Sequence, residues 1–316
     1  MKVLVTGGLG MIGAFVVREL LDAGHVPIVL DRHDGPGALA DVAAEVERHA
    51  GSVLDVELVT ELLMGVDAVA HLAGVLPAEA VPYDGYRVTA MGPVTTFEAA
   101  RRAGVRRVVW ASAKAVYGEL SGAYGHPSYE PVPETHSRGV LAFSPVYCAS
   151  KQLAEEAGRH YAATYGIEIT ALRFSTIFGP GKVAPRGAAL VGAIVQSAVG
   201  GPPITVSQGA EQRDEIIYVR DAARGVLAAL TAPSPESWVF NIASGLLVSL
   251  PDVAQAVQAR LGMVRASIGG GLDPFGIGPM YGRLDGSLAA TELGFEPVWD
   301  LDAAIGDFAD ALTVGQ

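Results

Sequence analysis

The chain opens with a short β-branched run, Lys2–Thr6, that passes directly into Gly7-Gly8-Leu9-Gly10-Met11-Ile12-Gly13 and then into apolar residues at helical spacing from Met11 to Ala23. Few backbone paths satisfy a strand, a glycine turn and a helix in so few residues. Gly7 permits the tight turn, Gly10 lets an anion approach the main chain, and Gly13 lets the helix pack closely on the sheet. The amides at Met11, Ile12 and Gly13 begin that helix, where N–H groups are unpaired and the dipole is positive, so the turn is built for a pyrophosphate. Asp31 closes the next run, Val26–Asp31, 18 residues after Gly13. A carboxylate there accepts hydrogen bonds from adenosine ribose hydroxyls and repels a 2′-phosphate. Arg32 follows and softens that repulsion, so NAD is the expected cofactor and NADP the lesser alternative.

The same alternation continues. Asp67–Leu72 and Arg106–Ser112 read as strands, and Val56–Met64 and Tyr86–Ala103 as helices between them. The runs lack polar alternation, as strands buried on both faces do. A long helical segment, Val146–Tyr165, precedes a further strand, Glu168–Phe174. After Phe178 glycine and proline become frequent, and Trp238–Ile242 suggests one return to the sheet. The expected fold is α/β: a Rossmann-type doubly wound parallel sheet with a small mixed α/β C-terminal lobe. Residues 1–175 would form the dinucleotide-binding domain, its sheet rejoined by about 213–243, and residues 176–212 and 244–316 the substrate-binding lobe.

Composition narrows the function. Half of the 316 residues are apolar and 18% are charged, enough for a substantial core. A net charge of −12, from 34 acids against 22 bases, argues against nucleic acid and against an anionic membrane face. The single cysteine, Cys148, cannot form an internal disulfide, which fits a reducing cytoplasm. Met1–Val17 is apolar but glycine-rich and lacks a small-residue cleavage site, so no signal peptide is expected. Ala188–Val199 is too short for the roughly 20 residues of a membrane span and is ended by Gly200-Gly201-Pro202-Pro203. The seven histidines show no metal-ligand spacing, and no G-x-S-x-G elbow marks a hydrolase nucleophile.

Tyr147 and Lys151, in Tyr147-Cys148-Ala149-Ser150-Lys151, lie four apart in a helical segment and so share a face. A phenol with pKa near 10 is a poor base at neutral pH. A neighbouring ammonium and an oxidised nicotinamide both favour the phenolate. Tyr147 is then expected to exchange a hydroxyl proton while hydride moves to or from the nicotinamide, with Lys151 as its electrostatic partner.

Further motifs stand in a recognisable order. They are His71-Leu72-Ala73-Gly74, Ala111 to Gly118 (ASAKAVYG), Leu172-Arg173 through Phe178-Gly179-Pro180, Arg213 to Asp221 (RDEIIYVRD) and Glu292 to Pro297 (ELGFEP). With the glycine turn, Asp31 and the Tyr147–Lys151 pair, the chain resembles the NAD-dependent epimerase/dehydratase family of extended short-chain dehydrogenases/reductases over nearly its whole length. The resemblance implies further cofactor contacts at Ser52, Val53, Leu72, Ala73, Gly74, Ala111 and Phe174. It implies substrate contacts at Ala113, Lys114, Thr176 and Arg213, with Arg213 on a substrate phosphate or carboxylate or, alternatively, in a salt bridge between lobes. It also implies a homodimer paired through Tyr86–Ala103 and Val146–Tyr165.

Four positions depart from the family pattern. Ala113 stands where a Ser or Thr ordinarily bonds the reacting oxygen, leaving Ser112 and Lys114 as the nearest substitutes. Thr176 and Thr89 stand where nucleotide-sugar members carry Asn, and Ser52 where the adenine-side residue is usually Asp. Lys114 and Ala115 occupy the places of a dehydratase's acids, which disfavours dehydration. The expected activity is NAD-dependent hydride transfer at a carbinol carbon of a sugar, nucleotide sugar or sugar acid. A dehydrogenase or carbonyl reductase with net cofactor turnover is the alternative, and a non-catalytic dinucleotide sensor a minor one. The loop Ser121–Arg138 is expected at the substrate mouth.

Overall fold

The computed structural model describes residues 1–75, 83, 86–141, 144–181, 188–274 and 281–314. Strand β1 (Lys2–Thr6) leads through the glycine turn into helix α1 (Met11–Asp22), and the chain returns in β2 (Val26–Asp31). Then follow β3 (Glu47–Ala50), α2 (Val56–Leu62), β4 (Ala68–His71), α3 (Gly92–Ala103), β5 (Arg107–Ala111), α4 (Pro145–Tyr165) and β6 (Glu168–Phe174). With β10 (Val239–Ile242) these strands form one sheet in the order β10-β6-β5-β4-β1-β2-β3. Every pairing in it is parallel. The doubly wound sheet expected from the sequence is therefore present. Strand order reverses between β1 and β4, where Thr6 pairs with Leu30 on one side and His71 on the other. In such sheets the crevice for a ligand opens beyond the strand ends at that point.

Both faces of the sheet are buried, and residue parity decides which. Val3, Val5 and Val29 pack with Val16, Val17 and Leu20 of α1 and with Val226 and Leu230 of α6 (Val219–Thr231). Leu4, Ile28 and Leu30 point the other way, onto Val59 of α2, Phe97 of α3 and Ala154 of α4. The unbroken apolar runs follow directly from this. β3 gave no such signal because it is an edge strand, mostly exposed and polar in sequence.

The remaining chain builds two small sheets. β7 (Thr176–Phe178) runs parallel to β9 (Arg213–Tyr218), which pairs antiparallel with β11 (Leu247–Ser249). β8 (Ile204–Val206) pairs with β12 (Ala266–Ile268). Helices α5 (Ala188–Ala198), α7 (Leu250–Leu261) and α9 (Leu301–Val314) share a core around Val195, Val253, Val257, Ile305 and Phe308. α8 (Ser287–Leu293) instead packs on the main sheet through Ala289 and Leu293. α7 is fixed at its start by a reciprocal cap in which Ser249 and Asp252 each accept the other's backbone N–H, at 3.2 and 2.9 Å. The return to the main sheet is made by Val239–Ile242 alone; Arg213–Tyr218, included in the expected rejoining segment, belongs to the small sheet.

The helix expected over Tyr86–Ala103 is not uniform. Arg87–Met91 form a wider π turn before α3 begins at Gly92. Pro93 has no N–H to continue the α-helical ladder back into that turn, which favours the irregularity. Among the described residues no helix is long and apolar enough to cross a membrane.

The turn between β1 and α1 is held by contacts only glycine allows. Gly7 has φ +71°, and a Cβ there would lie 2.8 Å from the backbone of Ala73. A Cβ on Gly13 would lie 2.1 Å from the Gly7 carbonyl oxygen. Gly13→Ala is therefore expected to destabilise the protein by about 1–3 kcal/mol, as overpacking does where nothing can yield. Denaturant unfolding measures this, and an unchanged midpoint would refute the packing argument.

Candidate active site

The glycine turn is closed by backbone hydrogen bonds, from Gly7 N to Leu30 O at 2.8 Å and from Gly10 N to Gly7 O at 3.0 Å. Asp31 braces it from below, its carboxylate accepting from Leu9 N and His33 N, both at 3.1 Å. No side chain caps α1 and no acid occupies its first turn. Its opening amides at Met11, Ile12 and Gly13 thus stay available to an anion. A Cβ on Gly10 would meet only the Gly7 oxygen, at 3.2 Å, so the turn leaves room above it. An uncapped helix start, a glycine cradle and an acid ending β2 fit the diphosphate and ribose of a dinucleotide. Arg32 is exposed, donating to His33 at 3.1 Å, and Ser52 is exposed with its hydroxyl accepting from Leu54 N at 3.2 Å. Val53 and Phe174 are buried in the core beside this crevice. Leu72 and Ala73 are tied to Thr6, through its carbonyl at 3.1 Å and its hydroxyl at 3.4 Å, which brings Gly74 to the strand ends.

His71 stands at the end of β4, fully enclosed. Its Nδ1 lies 3.0 Å from Thr6 Oγ1 and 2.8 Å from Thr96 Oγ1. Its Nε2 has no partner among the described residues. Burial, reinforced by the charge of Lys151, lowers its pKa to about 3, so the ring is neutral.

On the other side of the crevice α4 begins with Pro145 in its first turn, where a missing N–H costs nothing. Tyr147 and Lys151 do share a face: the Lys151 ammonium lies 5.6 Å from the Tyr147 ring centre and donates to Ala111 O at 2.5 Å. Burial lowers Lys151 to about 8, with Glu155 opposing the shift. The ammonium alone does not give Tyr147 the enhanced acidity expected of it together with an oxidised nicotinamide. Burial raises the phenol above its ordinary value. The physical reason is position, since the ammonium is held at a carbonyl over the ring rather than at the phenol oxygen.

Ser112 is also corrected. It is buried and its hydroxyl donates to Glu155 Oε1 at 2.7 Å, so its one hydrogen is committed away from the reacting centre. Glu155, fully buried one turn beyond Lys151, also accepts from Arg173 Nε and Nη2 at 2.9 and 2.6 Å. Arg173 continues to the Tyr117 hydroxyl at 3.1 Å, which donates to Asn241 at 2.7 Å. Asn241 N in turn donates to Glu134 at 2.7 Å. This chain of bonds joins α4, β6, β10 and the Ser121–Arg138 loop. That loop is further pinned where the Tyr129 hydroxyl accepts from Gln212 at 2.7 Å and from Arg213 N at 3.2 Å.

The substrate-side residues gather on a second cluster. Ala113 and Tyr147 both pack on a small cluster of Ala115, Leu141 and Cys148. Lys114, buried, donates to Asp214 Oδ1 at 2.5 Å, and Thr176 donates to Asp214 Oδ2 at 2.6 Å. Asp214 and Thr176 line a cleft with Val191, Ile216, Leu250 and Tyr281. Arg213 is exposed, its nearest acid Asp252 at 3.9 Å, too far for a hydrogen-bonded lock. Sequence reasoning missed Glu155 and Asp214. Glu155 follows Lys151 by four and so was on its face, whereas Asp214 stood within a quoted motif that assigns it no partner.

The model of the NAD dependent epimerase/dehydratase family matches residues 3–243. The chain belongs to this family. Among curated relatives of this epimerase/dehydratase family member, a putative UDP-glucose 4-epimerase of Methanocaldococcus jannaschii is 30% identical over 96% of this chain and 95% of its own. The human UDP-glucose 4-epimerase is 31% identical over 83% and 82%. In three dimensions the UDP-glucose 4-epimerase of Thermotoga maritima matches with a TM-score of 0.85 at 23% identity, covering 100% of this chain and 99% of that one. MoeE5, solved with UDP-glucuronic acid and NAD, matches at 0.84 and 24% identity over all of both chains. The family member is an NAD-dependent enzyme of the short-chain dehydrogenase/reductase type, working by hydride transfer.

His71 sets a pH dependence. Its folded pKa, about 3, lies below the unfolded value near 6.5, so acid favours the unfolded chain. Stability is complete above the unfolded value and falls by about 1.4 kcal/mol per pH unit below about 6. Urea unfolding between pH 7 and pH 5 is expected to show this slope, reduced in His71→Gln. An equal slope in both proteins would sink the assignment.

Proposed function

We propose that this enzyme is a nucleotide-sugar 4-epimerase acting on a UDP-hexose or UDP-hexuronic acid. The observation that carries the reading is the Tyr147–Lys151 pair facing the crevice beside the glycine turn, in a chain whose curated relatives over most of its length are named for UDP-glucose 4-epimerisation. When bound, oxidised NAD supplies the hydride acceptor and a positive ring charge. The glycine turn and the amides of Met11, Ile12 and Gly13 hold its diphosphate, and Asp31 its adenosine ribose. Ser52, Val53, Leu72, Ala73, Gly74, Ala111 and Phe174 wall the rest of its site. Tyr147 takes the proton of the sugar hydroxyl as the carbinol is oxidised and gives it back after the ring has presented its other face. Lys151, fixed by Ala111 O, adds its charge to that of the oxidised ring, and the two together would offset the burial that holds the phenol up. Arg213 is placed to grip the diphosphate, and Thr176 with Asp214 borders the sugar.

In this reading residues 1–175 carry the dinucleotide and residues 176–212 and 244–316 the substrate. We place the enzyme in the cytoplasm, in keeping with its lone buried cysteine. We also infer a homodimer: α3 and α4 and the turn before them expose Tyr86, Met91, Leu153 and Tyr165, large apolar side chains suited to a pairing face. Light scattering at micromolar concentration is expected to give twice the chain mass, and Leu153→Asp to give a monomer. A wild-type monomer would remove the inference.

Proton NMR of the protein incubated with UDP-glucose, UDP-galactose, UDP-glucuronic acid or UDP-galacturonic acid is expected to show inversion at C4 without net NADH. Tyr147→Phe should retain NAD and lose at least about 10²-fold in kcat. A Tyr147→Phe protein of undiminished rate, or net NADH accumulation in step with product, would defeat the proposal.

A further inference from the structure

A carbinol oxidised at this site needs more than a base. As the oxygen changes between hydroxyl and carbonyl, a donor aimed at it in a dry site stabilises the developing charge. Tyr147 and Ala113 pack on Ala115, Leu141 and Cys148, and of these four neighbours' side chains only the Cys148 thiol has a donor. Ser112 is committed to Glu155 at 2.7 Å. Lys151 lies on the cofactor side, next to Gly74, and spends a hydrogen on Ala111 O. Among the described residues one strong donor stands between the cluster that holds Tyr147 and the cleft lined by Asp214.

That donor is Lys114. It stands between Ala113 and Ala115 on the turn beyond β5, and both of these share one small cluster with Tyr147. Its side chain is buried, and among the described residues its ammonium has one hydrogen-bond partner, Asp214 Oδ1 at 2.5 Å. An ammonium carries three hydrogens, so two stay available. Asp214 is immobilised in turn by Thr176 at 2.6 Å and by Gly282 N at 3.1 Å, which ties the lysine head to the cleft wall where a sugar would sit. The bland account, a structural ion pair, explains the burial. It does not explain why the ammonium should be held at a cleft wall by Asp214 while its two chain neighbours share a cluster with Tyr147.

We propose that Lys114 is a catalytic residue whose ammonium donates a hydrogen bond to the reacting oxygen of the sugar, oriented by Asp214 and, through it, by Thr176. The inference rests on the epimerase reading for its substrate, but not for its chemistry. Lys114 gives up no proton; the hydroxyl proton goes to Tyr147, and the lysine stabilises the oxygen left behind. Asp214 and Thr176 are positioning residues, because they act through the lysine.

Lys114→Met keeps most of the buried stem and removes the donor. With the NAD-loaded protein, kcat is expected to fall about 10²–10³-fold, the usual effect of removing one oxyanion donor, while KM changes little. Lys114→Met/Asp214→Asn removes the unpaired acid that the single change leaves behind, so it guards against loss of folding, and should be as slow as the single variant. Adding Ala113→Ser to Lys114→Met places a hydroxyl beside Tyr147 and should recover at least tenfold. Bound-NAD reduction at 340 nm under single turnover, with UDP-glucose, UDP-glucuronic acid and unlinked glucose, reads the hydride step whatever product forms. Hydride transfer without C4 inversion overturns the epimerase reading and still judges Lys114 by the variant-to-wild-type ratio. Folded variants with unchanged kcat, or a loss confined to KM, overturn the role of Lys114. A wild-type protein that oxidises none of these carbinols overturns both.

Discussion

The close approach of the glycine turn to the end of β4 sets the geometry on which everything else depends. Gly7 brings the main chain against Ala73, and Gly13 brings the first turn of α1 against Gly7 itself. Any side chain there would push α1 off the sheet and close the space in which an anion meets the helix amides. The same contact draws the His71–Gly74 loop across the strand ends through Thr6, and that loop reaches the Lys151 ammonium. Cofactor cradle and proton-transfer pair are thereby built from one compact junction.

Helix α4, which carries Tyr147 and Lys151, has a polar anchor beside its packing, because a buried ammonium on its inner face gains less from apolar neighbours than a hydrocarbon would. Glu155 supplies it from the same face. A bidentate bond to Arg173 and a bond from Ser112 tie α4 to β6 and to the end of β5. Removing one member of such a buried pair costs about 3–5 kcal/mol, far more than its formation contributes. The pair therefore acts less as a source of stability than as a constraint on alternatives. A displaced α4 would leave an unpaired charge, so Tyr147 and Lys151 are held in one register.

Much of the fold was legible because the central strands are buried on both faces and leave uninterrupted apolar runs. Edge strand β3 was not, since exposed Glu47 and Arg48 carry no such imprint. The small sheets were not either: β8, β11 and β12 have three residues each and owe their pairing to distant partners. At the site, the glycine turn, Asp31 and the Tyr147–Lys151 spacing are local patterns with a local mechanism. The corrections concern what surrounds a polar group. Ser112 was read from its place beside Ala113, but Glu155, 43 residues away, decides its orientation. The phenol's acidity was read from a four-residue spacing and an oxidised nicotinamide, while burial, which the spacing does not reveal, works against both.

The two buried lysines differ in what their partners leave of the charge. Lys151 is bonded to a neutral carbonyl, so its charge is undiminished and burial falls on it with little relief, which is why its pKa drops to about 8. Lys114 is bonded to a carboxylate, so that pair adds almost no net field to the cleft until something competes for the ammonium. Arg213 lies outside this arrangement: it is exposed and only loosely paired with Asp252 at 3.9 Å, so in the proposed reading its guanidinium could turn to a doubly charged group. On the proposed reading, a substrate with a charged diphosphate and a neutral ring would meet a loosely paired cation first and a compensated pair last. That order matches where each charge is needed, binding at the mouth and stabilisation of an oxygen at the centre.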